Sequence, residues 1–201
     1  MIDIKNNEIL FKDLLLSTHR EGMEAVISNL EELGAFSAPA SAGHHLNEPG
    51  GLIQHSLNVY EMAKHIKPKL LLLRPELADK LTDESIIIAS LLHDVCKADI
   101  YKPAIKKRKT PQGYWQEYSG YDTDYSGFPM GHGEKSVILL LQWGLKMTED
   151  EMLAIRWHMT AWELAFQSYE AKECLNRASE KCPLLKLVQA GDALSAGILE
   201  A

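Results

Sequence analysis

The sequence has neither an excess of positive charge nor a hydrophobic run that could cross a membrane. It carries 21 Lys and Arg against 28 Asp and Glu, for a net charge of −7. A protein whose whole surface holds nucleic acid needs a concentration of basic residues, so this class is excluded, although a local basic patch is not. The apolar run from Ile86 to Leu92 is far shorter than the roughly 20 residues that span a bilayer. We therefore expect a soluble, cytoplasmic protein with no membrane partner.

Cysteine is also scarce, and the three that occur form neither a disulfide framework nor a metal finger. Cys96, Cys174 and Cys182 are an odd number without zinc-finger spacing, which predicts reduced thiols in a cytosolic protein. The first five residues lack the basic-then-apolar pattern of a signal peptide. With 201 residues, of which 46% are hydrophobic and 24% charged, the chain has the size and composition of one globular domain over residues 1–201.

Apolar residues recur at helical spacing along most of the chain. From Ile9 to Leu33 they predict an N-terminal helix that ends at Gly34. A second helix is predicted from about Leu52 to Ile66, ended by Pro68. A third helix is predicted to begin at Thr82 or Asp83 and to run through His93, Asp94 and Lys97. A fourth begins at the capping box of Thr148 and Glu151 and carries Ile155 and His158. A last helix is predicted to begin at Pro183.

One segment, between Tyr101 and Met130, breaks this helical rhythm. It holds seven aromatic residues and three prolines and shows little helical periodicity. Residues 106–110, the turn Pro111-Gln112-Gly113 and residues 114–118 are typical of a β-hairpin with a glycine-containing turn. The sequence therefore predicts a helical bundle with one inserted hairpin.

Histidine and aspartate residues stand at five places where the apolar pattern alone would not put them. In chain order they are His55, the pair His93-Asp94, His132 between two glycines, His158, and Asp192 among small residues. An ionised Asp rarely enters an apolar interior unless it is paired or binds a metal. Imidazole and carboxylate ligands together suit Mn, Fe, Co, Ni, Zn or Mg. Adjacent residues such as His93 and Asp94 point about 100° apart on a helix, so they approach one metal only near a helix end or a bend.

Each of these positions has a structural alternative when it is taken alone. A single buried His is more often a hydrogen-bonded core residue than a ligand, and Asp192 alone is compatible with a buried, hydrogen-bonded carboxylate among tightly packed helices. It is the complete series in order, His, His-Asp, His, His and Asp, that indicates a metal centre.

Two blocks of the sequence resemble the HD-domain metal-dependent phosphohydrolases. Gly50-Gly51-Leu52-Ile53-Gln54-His55-Ser56 is similar to their GGLxxHS/T block, and Leu91-Leu92-His93-Asp94-Val95-Cys96-Lys97 to their LLHDxxK block. The resemblance extends over roughly residues 35 to 200, with Cys96 standing where Gly is common. It implies an all-α HD-domain bundle with an inserted β-hairpin at about residues 104–119. Residues 1–34 would pack on this bundle as an N-terminal helix, and residues 101–130 would form the insertion.

The resemblance also implies roles for the individual residues. It implies a first metal ion held by His55, His93, Asp94 and Asp192, and a second held by Asp94, His132 and His158, so that one or two divalent ions activate water for attack on phosphorus. Lys97, three residues after Asp94, is expected to contact the phosphate and assist catalysis; a solvated helix-end cation is the alternative. Lys135 and His45 are further candidates for substrate binding.

The predicted hairpin concentrates basic residues. Lys102, Lys106, Lys107, Arg108 and Lys109 hold five of the 21 basic residues within eight positions. They are compatible either with a solvated hairpin whose charged edges prevent strand pairing or with a substrate flap, on which Arg108 meets phosphates and Trp115 stacks on a base.

Three hypotheses follow. The first is a metal-dependent phosphohydrolase or phosphodiesterase acting on a phosphorylated small molecule, a nucleotide or a nucleic acid end. The second is a metal- or nucleotide-binding regulatory module of the same fold with little turnover. The third, a helical interaction domain with structural histidines, is disfavoured because the ligand series is complete. The substrate, the identity and number of metal ions and the oligomeric state stay open.

Overall fold

The computed structural model describes residues 2–160 and 169–200, and most of these residues are helical. The α-helices are α1 (Ile4–Ser17), α2 (Met23–Glu32), α3 (Gly51–Leu73), α4 (Asp83–Leu92), α5 (His132–Gln142), α6 (Glu149–Trp157), α7 (Tyr169–Lys181) and α8 (Pro183–Leu194). The two antiparallel strands are β1 (Tyr101–Lys109) and β2 (Trp115–Thr123). This confirms a helical bundle with an inserted hairpin. Among the described residues, no helix combines the length and the apolar character needed to cross a membrane.

The core forms where α3, α4, α6 and α8 pack on one another. Helix α4 is apolar on all sides, and its residues Ile86 to Leu92 are all buried, as expected for a helix that is enclosed by others. Thr82 caps this helix by accepting a hydrogen bond from the Ser85 backbone. The predicted capping box of Thr148 and Glu151 and the first-turn position of Pro183 are also confirmed.

The prediction of one continuous helix from Ile9 to Leu33 is wrong, because the chain turns between α1 and α2. Gly22 has a φ of 89°, and a Cβ atom at this position would lie 2.1 Å from the carbonyl oxygen of Gly144. Only glycine fits this close approach of two backbone segments. The contact joins residues that are distant in sequence, so helical periodicity gave no sign of it.

The predicted end of α3 at Pro68 is also wrong, since the helix continues to Leu73. Proline removes one intrahelical hydrogen bond and disfavours a helix interior. The residues beyond it compensate, because Leu70 and Leu71 pack against the core. Tertiary burial here outweighs the local preference of proline.

Helix α4 ends earlier than predicted, and this difference shapes the candidate site. The last helical residue is Leu92, His93 is the C-cap, and Asp94 leads into a 3₁₀ turn over Val95–Ala98 that contains Lys97. The bend lets the side chains of His93 and Asp94 approach one point, as adjacent residues do at a helix end.

The hairpin is longer than predicted. Its strands pair from Tyr101 opposite Thr123 to Lys109 opposite Trp115, whereas the sequence pattern indicated residues 104–119. The predicted turn is confirmed: Gly113 has a φ of 88°, and its backbone N–H donates to Thr110. The additional pairing joins residues at the base of the hairpin, where alternation of polar and apolar residues is weak.

Candidate metal centre

Five helices or helix ends bring the six predicted ligands together. His55 comes from the first turns of α3, His93 and Asp94 from the end of α4, His132 from the start of α5, His158 from the end of α6, and Asp192 from α8. Gly133 permits this arrangement, because a Cβ atom there would lie 2.3 Å from the carbonyl oxygen of Arg156. The start of α5 therefore rests directly on the backbone of α6, and His132 and His158 become neighbours with ring centroids 5.4 Å apart.

The two carboxylate oxygens of Asp94 face different pairs of histidines. Oδ2 lies 3.2 Å from Nε2 of His93 and 3.6 Å from Nε2 of His55. Oδ1 contacts Nε2 of His132 and lies 3.4 Å from Nε2 of His158. Among the described residues, three groups of donor atoms are compact enough for an ion. Two of them, His55 with His93 and Asp94, and Asp94 with His132 and His158, share this carboxylate, and the third is His45 with His55 and Glu200. Asp192 borders the first group, with Oδ1 3.3 Å from Nε2 of His55.

Each of the four imidazoles is anchored through Nδ1, so that Nε2 is the nitrogen turned toward Asp94. An imidazole that donates its Nδ1–H to an acceptor keeps a lone pair on Nε2, which is the usual arrangement of a histidine that binds a metal. The partners of Nδ1 are the carbonyl oxygen of Ser90 for His93 (2.8 Å), that of Ile155 for His158 (2.7 Å), the thiol of Cys96 for His132 (3.2 Å) and the carboxylate of Glu200 for His55 (3.0 Å).

Glu200 is the member of this site that the sequence did not reveal. Both of its carboxylate oxygens lie 3.0 Å from Nδ1 of His55, the side chain is fully buried, and the Asn58 amide donates to it at 2.9 Å. A wide π-helical turn over Ser195–Leu199 brings it there. Nothing in the local sequence marks this acid, since its partner lies 145 positions away. Cys96, which stands where the family commonly has Gly, also contributes to the site, because its thiol contacts Nδ1 of His132.

Electrostatics keeps Asp94 ionised. Burial by itself would raise the pKa of Asp94, but the neighbouring Lys97 ammonium and the imidazoles of His93 and His132 outweigh burial and hold this pKa well below its ordinary value. Lys97 lies 2.7 Å from Oδ2 of Asp94. Burial of Lys97 opposes its charged form, yet attraction to Asp94 dominates and raises the pKa of Lys97. The two groups therefore form a buried ion pair beside the histidines.

The first group of ligands also has a surplus of negative charge. Burial opposes ionisation of Asp192, but its hydrogen bond with His55 lowers the pKa of Asp192 to about 2. Burial likewise disfavours the cation of His55, but Asp192 and Glu200 raise the pKa of His55 to about 9. The carboxylates thus stabilise a positive charge on His55. A divalent cation bound here would supply that positive charge instead and would displace the proton from His55, since a histidine must be neutral to bind a metal.

The spacing of the donor atoms fits a metal ion. Ligands at about 2.1 Å from one metal, at tetrahedral or octahedral angles, lie roughly 3.0–3.4 Å from each other. Nε2 of His55 is 3.3 Å from Nε2 of His93, which is the separation expected of two ligands of one ion. Nε2 of His158 is buried and makes no hydrogen bond with any described residue. Both observations indicate positions for a cation between these atoms.

The remaining predicted substrate contacts lie on two sides of the centre. His45 packs on His55 with ring centroids 5.1 Å apart, and burial together with the charge of His55 lowers the pKa of His45. Lys135 is buried, with Nζ 2.7 Å from Asp99. It lines a mainly apolar cavity of about 290 Å³ that borders His132. Both lysine and cavity adjoin the second group of ligands, so Lys135 stays a candidate for substrate binding.

The structure does not bring Arg108 and Trp115 to the ligands. Both lie at the far end of the hairpin from Tyr101, where β1 begins. Arg108 is the seventh residue after Tyr101, and a strand rises about 3.3 Å per residue, which places Arg108 on the order of 23 Å along the hairpin. Trp115 is 66% exposed. A substrate that touched both the centre and these residues would therefore have to be extended.

The comparisons with known proteins agree with this geometry. A family model, the HD domain, matches residues 52–197, which is nearly three quarters of the chain. Proteins with this domain are in general metal-dependent phosphohydrolases and bind divalent metals. The match confirms the resemblance drawn from the Gly-Gly-Leu and His-Asp blocks. Neither a search of curated proteins nor a search of solved structures found a match.

Proposed function

We propose that this chain, which belongs to the HD domain family, is a metal-dependent phosphohydrolase that cleaves a phosphoester of a nucleotide or of a nucleic acid end. The observation that carries the proposal is the set of four imidazoles, each anchored at Nδ1 and turned with Nε2 toward Asp94. Histidines that serve only the core have no reason to converge on one buried carboxylate.

The proposal includes two ions. The division of the Asp94 oxygens supports it, with Oδ2 toward His93 and His55 and Oδ1 toward His158 and His132. His55, His93, Asp94 and Asp192 would hold one ion, and Asp94, His132 and His158 the other. Divalent ions at such a site supply Lewis acidity, and they lower the pKa of water so that it attacks phosphorus near neutral pH.

Lys97 is the residue of this chain that we assign to the phosphoryl group. Its side chain is 12% exposed and its ammonium lies against Asp94. The ammonium keeps its charge, because attraction to that carboxylate raises the pKa of Lys97 although burial opposes the charged form. A cation fixed in this way stabilises the negative charge that grows on phosphoryl or leaving oxygens. His45 is half-buried beside His55 and, with its lowered pKa, stays neutral and able to donate or accept a hydrogen bond.

The experiment that tests the proposal is reconstitution followed by a substrate screen. Protein stripped of metal is loaded separately with Mn, Fe, Co, Ni, Zn or Mg, and phosphate or nucleotide release is measured with nucleoside monophosphates, cyclic nucleotides, deoxynucleoside triphosphates and short oligonucleotides. We expect at least one metal to restore turnover in the wild type and none to restore it in Asp94→Asn. The matched control is Asp79→Asn, an exposed acid, which should behave as wild type.

Two results would contradict the proposal in different ways. Equal turnover in Asp94→Asn and wild type would place the chemistry elsewhere. Tight binding of metal and nucleotide without turnover of any substrate in the wild type would favour the alternative, a regulatory module of the same fold.

A further inference from the structure

The hairpin differs in charge from the rest of the protein. Residues 101–123 hold five basic residues and two acidic ones, Glu117 and Asp122. Because the whole chain carries −7, this excess of three positive charges leaves −10 on the remainder. A polyanion is repelled by the body of the protein and attracted to the hairpin.

The hairpin also exposes large apolar side chains. Tyr114 is 75% exposed, and both Ile105 and Trp115 are 66% exposed. A two-stranded hairpin is marginally stable by itself, so a long one that leaves its aromatic rings in water is suited to contact with a partner.

Each face of the hairpin carries a cation beside an aromatic ring. On one face the Arg108 guanidinium lies 5.3 Å from the centre of the Tyr118 ring, and on the other Lys109 Nζ lies 5.4 Å from that of Trp115. Proteins that bind single-stranded nucleic acid combine basic side chains, which contact the phosphates, with aromatic side chains, on which bases of any sequence stack.

We infer that the hairpin is an arm that binds single-stranded nucleic acid and leads one end of the strand to the metal centre. The inference rests on the proposed function for the chemistry at that end, but not for the binding itself. The arm begins at Tyr101, four residues after Lys97, so its base adjoins the residue assigned to the phosphoryl group.

The turn of the hairpin favours nucleic acid over an anionic membrane as the partner. The residues between the two strands, 110–114, include one large ring, Tyr114, and no large aliphatic side chain, whereas insertion into lipid requires a continuous apolar surface. The cation–ring pairs lie on the strands, one on each face, so a polymer running along either face meets a cation and a ring.

The geometry gives the length of strand that the arm accommodates. Arg108 lies on the order of 23 Å from the base of the arm, from a rise of about 3.3 Å per residue. A stacked strand rises about 3.4 Å per nucleotide, so about seven nucleotides extend along the arm from its base to Arg108.

The test is fluorescence anisotropy with labelled oligothymidylates of 3 to 15 nucleotides, in a chelator so that nothing is hydrolysed. We expect affinity to rise with length up to about seven nucleotides and then to change little. Replacing Lys106, Lys107, Arg108 and Lys109 by Gln should weaken binding at least tenfold and reduce the slope of log affinity against log salt by up to about 3, since single strands contribute roughly 0.7 per neutralised phosphate. Trp115→Ala should weaken binding about fivefold or more, as expected for a lost stacking contact.

The matched control removes the same charge from the body. The control variant replaces four exposed lysines outside the hairpin by Gln: Lys5, Lys64, Lys69 and Lys172. Its affinity for oligonucleotides should stay within about twofold of wild type. A loss of affinity equal to that of the hairpin variant would contradict the proposed arm. The inference is also overturned if the hairpin variant binds like wild type, if affinity does not depend on length, or if the protein binds phosphatidylserine vesicles and no oligonucleotide. A failure of the arm alone leaves turnover of small nucleotides intact. A failure of the proposed function alone leaves oligonucleotide binding intact while no metal restores cleavage.

Discussion

Nε2 of His158 lies 3.4 Å from Oδ1 of Asp94 in a place where this nitrogen has no hydrogen-bond partner among the described residues. A buried polar atom without a partner costs roughly 1–3 kcal/mol. Its other nitrogen is fixed by the carbonyl of Ile155, so the ring is not free to turn away. A metal ion held by Asp94, His132 and His158 would remove this cost.

The first prediction concerns this second group of ligands. His132→Ala and His158→Ala should each retain one metal ion after reconstitution, because all four residues assigned to the first ion, Asp94 included, are untouched, while turnover falls by orders of magnitude. Metal per protein is counted by mass spectrometry of the desalted samples. His65→Ala, which changes an exposed histidine, is the control. If both site variants keep two ions and full activity, these histidines are structural.

The second prediction concerns Glu200 and the orientation of His55. Glu200→Ala should weaken metal binding about 10- to 100-fold, the usual effect of losing the partner of a histidine ligand. Glu200→Gln should recover part of the loss, because its amide oxygen still accepts from Nδ1 of His55. Affinity is measured by competition with a chelating indicator at fixed pH. The control is Glu61→Ala, which changes an exposed acid on α3, the helix that carries His55, and should bind metal like wild type. Wild-type metal affinity in Glu200→Ala would refute the role of Glu200 in orienting His55.

The third prediction separates Lys97 from the metal ligands. Lys97→Met removes the cation and keeps most of the volume, so metal content should stay at the wild-type level while kcat falls about 10²- to 10³-fold, as when one stabilising donor is lost. Lys97→Arg should restore part of kcat, because the charge returns. Steady-state kinetics on the best phosphoester gives both values, with Lys64→Met as the exposed control. Unchanged kcat in Lys97→Met would mean that this ammonium only balances Asp94.

The fourth prediction concerns the ion pair that joins the turn before α2 to α6. Glu151 is fully buried, and both of its oxygens accept from the guanidinium of Arg20, at 2.7 and 2.9 Å. Arg20→Met should lower the free energy of unfolding by about 3–5 kcal/mol, since the carboxylate would stay buried without its partner. Lys146→Met, which breaks an exposed pair with Glu21, should cost less than about 1 kcal/mol. Urea denaturation measures both changes, and equal losses would contradict the assignment.

Features governed by neighbouring residues could be predicted from the sequence. Thr148 with Glu151 marks a helix start, and Pro111-Gln112-Gly113 marks the hairpin turn, because each contains the groups that satisfy its own backbone. The six residues of the candidate metal centre could be picked out, because each His or Asp is surrounded in sequence by apolar residues, small residues or glycines.

Features governed by distant contacts could not be predicted. The turn at Gly22 depends on the backbone of Gly144, and the continuation of α3 past Pro68 depends on burial of the residues that follow. Glu200 reaches His55 only through the π-helical turn before it. The sequence left a flap at the centre and a solvated hairpin equally open for Arg108 and Trp115, and the length of the strands, which carries both residues away from the centre, is not marked by any local pattern.

The central claim is that Asp94 serves two metal ions, and the metal content of Asp94→Ala tests it most directly. Wild type and variant are stripped, reconstituted with the metal that gives the highest turnover, desalted and analysed by mass spectrometry for metal per protein. The account predicts about two ions per chain in the wild type and none retained in Asp94→Ala, because both groups of ligands lose their shared carboxylate. Asp94→Ala that folds and retains the wild-type number of ions would contradict it.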